Sequence, residues 1–166
     1  YITGHWIQHG NLRRKDFLLV LVPSLWVGRS RGQRVVIGQP WVEEKLTLHG
    51  SRTFVWRQAA ESFSQPNASV CTKMLQFAID CTSSSFFAST DLLEMFCGNG
   101  NFTVPLSSNF RRVCASELSQ PSVSLAQHNL QNNGVANATV FRASATDVAD
   151  ALYCGRLAEL VESRTS

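Results

Sequence analysis

Residues 91–103 are Asp-Leu-Leu-Glu-Met-Phe-Cys-Gly-Asn-Gly-Asn-Phe-Thr, an apolar run that enters a double-glycine turn and leaves in a helical pattern. This order predicts a strand, a tight loop and a helix. Glycine at 98 and 100 gives the loop backbone angles closed to other residues and lets a ligand approach the main chain. The stretch predicts either a nucleotide-like cofactor site or a plain strand-to-helix turn that needs glycine.

The glycine pattern departs from the dinucleotide fingerprint G-x-G-x-x-G. Thr103 stands at the place of the third glycine, which disfavours NAD. Glu117 ends the next apolar run, 19 residues after Gly98, close to the roughly 20-residue spacing at which a carboxylate meets ribose hydroxyls. Because S-adenosylmethionine carries a ribose and no pyrophosphate, the spacing favours it as the cofactor.

Three β-α units follow one another from residue 91 onward. Strands are predicted at 91–96, 111–116 and 138–142, and helices at 101–109, 121–132 and 145–153. For the second helix, Ser119 is the predicted cap, Pro121 lies in the first turn, and Asn133-Gly134 is a left-handed stop. The alternation predicts a doubly wound α/β sheet.

Two further helix starts carry polar residues whose role the sequence leaves open. Gln65 and Asn67 flank Pro66, near which a helix over 68–81 is predicted to begin. Helix capping is the favoured interpretation of both residues. Ser144 and Asp147 have the spacing of a capping pair, although the loop after a third strand is also a place where adenine is read.

The first 60 residues differ in composition from the rest. Short β-prone runs predict strands at 17–22, 34–38, 42–48 and 53–56. Residues 1–60 hold nine Lys/Arg and three Asp/Glu, and residues 61–166 hold six and nine, so the two parts carry +6 and −3. A basic segment beside an acidic one suits a polyanion such as RNA, or is an ordinary solvated face.

Within the basic segment, arginines on predicted turns are candidates for phosphate contacts, and tryptophans for base stacking, although solvated arginines and core tryptophans are favoured at any one position. The residues are Arg29, Arg31, Arg34, Trp26, Trp41 and Trp56. Composition sets the wider bounds: 44% hydrophobic and 16% charged residues indicate a globular protein. No apolar run is long enough to span a bilayer. The five scattered cysteines predict neither disulfides nor a metal site, and fit the cytoplasm.

Three runs carry a resemblance to a known family: SFSQPNASV at 62–70, DLLEMFCGNGNFTVPL at 91–106 and NFRRVCASELSQPSVSLAQHNLQNNG at 109–134. They resemble the RNA uracil-5-methyltransferase family, in particular its bacterial members that modify the T-loop uridine of tRNA. The resemblance covers about residues 25 to 150. It implies a partial Rossmann-like class I methyltransferase sheet at 61–166, after a β-rich RNA-side domain ending at residue 60.

The resemblance also implies site residues. Gln65, Phe96, Asn101 and Glu117 align with the family's contacts to S-adenosylmethionine, and the backbone at Gly98 and Gly100 forms the loop. For Gln65, the resemblance outweighs the capping role. At position 96 the family usually has tyrosine, so phenylalanine loses one hydrogen bond and keeps the ring.

The chemistry that the resemblance implies is methylation of uracil C5, in which a cysteine thiolate adds to C6 and a base later removes the C5 proton. The family's nucleophile lies in a Ser-Cys-Asn-Pro motif, and neither that motif nor the family's Asp-Pro-Pro-Arg motif occurs in the 166 residues. Cys97 is expected to pack the loop, so no catalytic residue is assigned, and the chain alone is expected to be an inactive fragment. Ribosomal RNA as substrate, another Rossmann-like enzyme and a non-catalytic RNA-binding fragment remain alternatives.

Overall fold

The computed structural model describes residues 26–30, 33–37, 39, 41–48, 52–59 and 62–165. The strands are β1 Trp26–Ser30, β2 Gln33–Ile37, β3 Trp41–Thr47, β4 Thr53–Ala59, β5 Asp91–Met95, β6 Arg112–Glu117 and β7 Ala138–Arg142. The helices are α1 Ala68–Cys81, α2 Ser85–Ala88, α3 Thr103–Leu106, α4 Gln120–Asn132, α5 Ala145–Tyr153 and α6 Leu157–Thr165.

The central element is a three-stranded parallel sheet in the order β5-β6-β7. Leu93 lies opposite Cys114 in the first pair, and Ala115 lies opposite Val140 in the second. Because parallel neighbours need crossover helices, α3 and α4 follow the first two strands, as the β-α alternation predicted. Within the described part of the chain, β5 has one neighbour and forms an edge of the sheet.

An antiparallel hairpin of β3 and β4 packs against this α/β unit. Phe54 and Trp56 of β4 are buried in one core cluster with Val104 of α3, Ala115 of β6 and Ala126 of α4. The burial of alternate β4 residues follows from the period of two in a strand, which turns every second side chain to one face. A second hairpin pairs β1 with β2.

Helix α4 keeps the predicted start and stop. Pro121 lies in its first turn, and Gly134 follows the C-cap with a left-handed φ of +68°. Ser119 occupies the N-cap position, but its side chain makes no capping hydrogen bond. Instead, the backbone N–H of Ser119 donates to Glu117 Oε1 at 2.8 Å, so a carboxylate of the preceding strand binds this helix entry.

Two other predicted caps are confirmed. Asn67 is the N-cap of α1 and accepts from the backbone N–H of Val70 at 3.1 Å. The helix has the predicted bounds, 68–81, and Pro66 lies just before the cap and not in the first turn. Ser144 and Asp147 form a reciprocal capping box at α5.

The predicted helix over 101–109 is wrong in extent. The glycine loop continues through residue 102, and α3 has one turn before a 3₁₀ segment at Ser107–Asn109. The turn that contains the left-handed Gly98 and Gly100 extends through residue 102, so the α-helix begins only at Thr103. Helices α2 and α6 were not predicted from the sequence.

The tryptophans and arginines of the first 60 residues that were candidates for RNA contacts have different outcomes in the structure. Trp56 is fully buried, so its core role is confirmed. The half-buried ring of Trp41 lies 3.8 Å from the guanidinium carbon of Arg57. Arg29 and Arg34 are cross-strand partners within β1 and β2, and the prediction that they lie on turns is wrong. Arg31 and the strand predicted at 17–22 lie outside the described residues.

No helix in the described part of the chain is long and apolar enough to cross a membrane.

Replacing Trp56 by alanine is expected to destabilise the domain by about 3–5 kcal/mol, because a fully buried ring leaves a cavity that its neighbours only partly fill. Urea unfolding of the protein followed by circular dichroism measures the loss. Trp41→Ala is the matched control and should cost about 1 kcal/mol, since that ring is half-buried and contacts one guanidinium. Equal losses would show that the hairpin is not anchored through Trp56.

Candidate functional site

An open cleft with a volume of about 120 Å³ lies where β5 ends. Its walls come from three parts of the chain: the end of β4, the segment that leads to α1, and the loop between β5 and α3. The lining residues are Gln58, Phe63, Ser64, Gln65, Glu94, Phe96, Cys97, Gly98, Asn99, Asn101 and Phe102. The carboxyl end of a parallel strand is the place where open α/β sheets bind ligands, because the strand-to-helix loops diverge there.

The structure brings four of the predicted cofactor residues to this cleft. Gln65, Phe96, Gly98 and Asn101 all line it, although 36 residues of chain separate the first from the last. Glu117 lies beside them, because its Oε2 accepts a hydrogen bond from the backbone N–H of Gly98 at 3.1 Å. Their assignment to a cofactor remains a prediction, since proximity alone does not identify the ligand.

Phe96 combines an unusual backbone with an exposed side chain. Its φ is +61°, and 75% of the residue is exposed at the cleft. A bulky residue in the left-handed region is strained by roughly 1–3 kcal/mol, and such strain is concentrated at ligand sites. With this left-handed backbone, the Phe96 ring lies at the mouth of the cleft and not in the core, and Phe63 is also exposed there.

The two glycines of the loop have different surroundings. Gly98, with φ +57°, faces open space where a Cβ would meet no atom within 4 Å. Gly100, with φ +82°, packs against α4, where a Cβ would lie 3.5 Å from that of Ala126. Gly100 does not line the cleft, and its carbonyl accepts from the indole N–H of Trp56 at 3.3 Å. Gly98 leaves the main chain open to a ligand, and Gly100 joins the loop to the core.

Asn101 fixes the other end of the loop. Its side-chain amide lies 3.5 Å from the Sγ of Cys71, a buried residue of α1. Burial raises the pKa of the Cys71 thiol, so the sulfur remains a neutral partner. This contact joins α1 to the loop and holds the Asn101 amide at the cleft wall.

Glu94 is a cleft residue that the sequence reasoning missed. Its Oε2 accepts a hydrogen bond from the buried hydroxyl of Thr103 at 2.7 Å. Desolvation raises the pKa of Glu94 to about 7, and the Thr103 hydrogen bond only partly offsets it. The signal was present in the sequence, because Thr103 replaces the third fingerprint glycine and an acidic residue stands near the end of the strand before the loop.

Cys97 is buried, and its packing role in the loop fits its surroundings. Desolvation, with the nearby carboxylates of Glu94 and Glu117, raises the pKa of its thiol to about 12. A thiol with so high a pKa is not a thiolate nucleophile near neutral pH.

The charged side chains at the cleft favour a cationic ligand over a phosphate group. Glu94 lines the cleft and Glu117 borders it, while no lysine or arginine is among the lining residues of the described chain. A pyrophosphate would meet carboxylates here, whereas an ammonium or sulfonium group would be attracted. No group of three metal-ligating side chains occurs among the residues that the structure describes.

Solved structures share this architecture. A Pyrococcus abyssi tRNA (uracil-54, C5)-methyltransferase in complex with S-adenosyl-L-homocysteine matches with a TM-score of 0.53 at 20% identity, over 66% of this chain and 25% of that one. A Thermus thermophilus 16S rRNA N2 G1207 methyltransferase matches with 0.52 at 18% identity, over 70% and 34%. The fold is therefore that of a Rossmann-like class I methyltransferase.

The family follows from the sequence match. A model of the tRNA (Uracil-5-)-methyltransferase family matches residues 6–161, and the chain belongs to this family. The tRNA/tmRNA (uracil-C(5))-methyltransferase of Acinetobacter baylyi is 51% identical over 75% of this chain and 34% of its own length. The Psychromonas ingrahamii protein of the same name is 46% identical over 91% and 40%. The chain thus spans between a third and two fifths of these relatives' length.

The buried carboxyl of Glu94 is expected to make folding stability depend on pH. Because its folded pKa of about 7 lies above the ordinary value of 4.5 for a glutamate, the stability it contributes is fully present below pH 4.5 and is lost as the pH rises through 7. The loss amounts to about 3 kcal/mol by pH 8. Urea unfolding from pH 4.5 to 8 should show wild type losing this stability relative to Glu94→Gln.

Thr103→Val provides the internal check on this interpretation. Removing the hydroxyl that donates to Glu94 takes away the interaction that lowers its pKa, so the loss of stability should continue to a higher pH and be larger in total than in wild type. A pH profile of Glu94→Gln that parallels wild type would contradict the assignment.

Proposed function

We propose that the full-length protein transfers a methyl group from S-adenosylmethionine to C5 of a uridine in tRNA, the T-loop uridine. The observation that carries this proposal is the acidic cleft at the end of β5, free of lysine and arginine, in a chain that belongs to the tRNA (Uracil-5-)-methyltransferase family. The relatives that match this chain carry that activity in their names. Ribosomal RNA is a less fitting substrate, because the names of these relatives specify tRNA and tmRNA.

Four side chains are proposed to hold the cofactor. Glu117 would bind the ribose hydroxyls, since its two oxygens accept only one backbone N–H each and retain further lone pairs. Gln65 and Asn101 line the cleft, and their amides could bind polar groups of the cofactor. The Phe96 ring offers an apolar surface to the cofactor, although it lacks the hydroxyl of the family's usual tyrosine.

The bound cofactor would supply an activated methyl group on a positively charged sulfur. The chain's own contribution is to attract that charge and to exclude water from it. Glu117 supplies negative charge, and Glu94, with a pKa near 7, would become charged when a cation binds beside it. Phe96 and Phe63 supply apolar cover at the cleft mouth. The loop backbone at Gly98 remains free of side-chain obstruction and Gly100 sets the loop's packing.

The proposal also assigns the two parts of the chain to different domains. Residues 1–60, with a net charge of +6, would form the end of an RNA-side domain, and residues 61–166 the first half of the methyltransferase domain. The nucleophilic cysteine and the base would lie in the part of the full-length protein outside this chain. The five free thiols support a reducing compartment, the cytoplasm.

The cofactor assignment predicts a defined loss of affinity. In the full-length protein, Glu117→Ala should weaken S-adenosylmethionine binding by about 30- to 150-fold, the equivalent of about 2–3 kcal/mol for charge-assisted hydrogen bonds. Isothermal titration calorimetry measures it. Glu159→Ala, which removes an exposed carboxylate on α6, is the control and should bind as wild type does.

Glu117→Gln separates binding from loop support, because its amide oxygen can still accept one backbone N–H while the charge is gone. Its affinity should lie between those of wild type and Glu117→Ala. If Glu117→Ala bound the cofactor as tightly as wild type, the role of this carboxylate would be wrong.

The RNA assignment predicts a salt effect. Charge reversal of Arg29, Arg31 and Arg34 to glutamate should weaken tRNA binding and reduce the slope of log affinity against log salt, because fewer counterions are released. As a control, Arg142, Arg156 and Arg164 of the second part of the chain are changed to glutamate, which alters the net charge by the same amount. Filter binding between 50 and 200 mM salt distinguishes them, and equal slopes for both variants would contradict a specific role.

A further inference from the structure

The helix α4 carries two asparagines, one turn apart, that pair with an edge strand as another strand would. Four helical residues rise about 6 Å, and two residues of a strand advance about 6.8 Å. Asn129 and Asn133 therefore match the spacing of Val55 and Arg57, alternate residues of β4 whose free backbone groups point the same way. The fit lets side-chain amides replace a missing neighbour strand.

The hydrogen bonds follow this match. Asn133 Oδ1 accepts from the backbone N–H of Val55 at 2.9 Å, and its Nδ2 donates to the Val55 carbonyl at 2.7 Å. Asn129 does the same one turn earlier: Oδ1 accepts from the N–H of Arg57 at 2.8 Å, and Nδ2 donates to the Arg57 carbonyl at 3.1 Å. Each asparagine thus satisfies both backbone groups of one hairpin residue.

Asn129 makes one bond more, and that bond reaches the cofactor loop. Its Nδ2 also donates to the carbonyl of Asn99 at 2.9 Å. The Asn99 side chain in turn donates a longer hydrogen bond, of 3.4 Å, from its Nδ2 to the Arg57 carbonyl. Both Nδ2 hydrogens of Asn129 are therefore used, one toward the hairpin and one toward the loop, between the two left-handed glycines.

Burial makes this arrangement costly to break. Asn129 has no solvent-exposed surface, and Asn99 is 5% exposed. Without the amide, the Asn99 carbonyl would lose its partner in a place that water does not reach, so the loop would have to move to satisfy it. The orientation of the amide is fixed too, because Arg57 presents an N–H to one side and two carbonyls lie at the other.

From these contacts we infer that Asn129 is a positioning residue for the cofactor: it holds the loop at Asn99 in its binding conformation and ties that conformation to the β3–β4 hairpin. This inference rests on the proposed function of the cleft. Glycines at 98 and 100 make the loop adaptable, so an anchored carbonyl between them reduces the ordering that a ligand must impose. Asn133 binds Val55 of the hairpin and the backbone carbonyl of Asn129, but no atom of the loop, so it lacks this role.

The test compares the two asparagines in the full-length protein. Asn129→Ala should weaken S-adenosylmethionine binding about tenfold, the equivalent of one buried hydrogen bond, while Asn133→Ala should change it less than twofold. Calorimetry gives the dissociation constants, and thermal unfolding shows the stability lost by each variant. Because each variant removes one N–H and one carbonyl contact to the hairpin, a difference in affinity at similar stability points to the bond from Asn129 to Asn99.

The outcomes separate the two proposals. Failure of the wild-type protein to bind S-adenosylmethionine would refute the proposed function, whereas tight binding by wild type and an equal effect of the two alanine variants would overturn only the role of Asn129. Asn129→Asp serves if the alanine variant does not fold, since it keeps the acceptor for Arg57 and removes the donors. It should bind the cofactor about tenfold more weakly than wild type.

A measurement on the wild type needs no variant. If the loop and hairpin share Asn129, S-adenosylmethionine should slow hydrogen exchange at the Arg57 N–H, which donates to Asn129, more than at the Val55 N–H, which donates to Asn133. Nuclear magnetic resonance resolves the two amides. Equal protection of both would contradict the inference as directly as the binding data.

Discussion

The structure depends on how the chain turns at the end of β5. Within five residues the backbone enters the left-handed region three times, at Phe96, Gly98 and Gly100. After a parallel strand, the chain must turn into a helix that packs on the face of the sheet. This turn does so and leaves main-chain groups open to the cleft. The sheet order, the short α3 and the position of the cleft all follow from the place where this turn lies.

The turn is held from several sides by groups far apart in sequence. The carboxylate of Glu117 binds the N–H of Gly98, the indole of Trp56 binds the carbonyl of Gly100, and Asn129 binds the carbonyl of Asn99. A glycine-rich segment has many conformations available in the unfolded chain, so these bonds must offset the entropy of ordering it. The hairpin therefore supports the loop of the proposed cofactor site through its contacts, although it contributes little of the cleft wall.

Electrostatics then defines what the turn can bind. The same geometry that closes a glycine loop around phosphates in dinucleotide enzymes here carries two carboxylates and no basic lining residue. Thr103 is central to this difference, because the side chain that replaces a packing glycine supplies the hydroxyl bound by Glu94. A buried carboxyl whose pKa lies near 7 gains most from a cationic neighbour, which explains why such a cleft fits a sulfonium compound better than NAD.

Local chemistry in the sequence determined the order of strands and helices, the caps at Asn67, Ser144 and Asp147, and the left-handed stop at Gly134, because each depends on residues within a few positions. The glycine loop and the spacing to Glu117 likewise indicated a ribose-bearing cofactor. Only the tertiary structure decided that α3 is a single turn, that Trp56 is fully buried and that Asn129 joins loop to hairpin. The bonds from Asn129 to β4 span 72 positions of chain, and burial and pairing over such distances leave no periodic or spacing signal in one sequence.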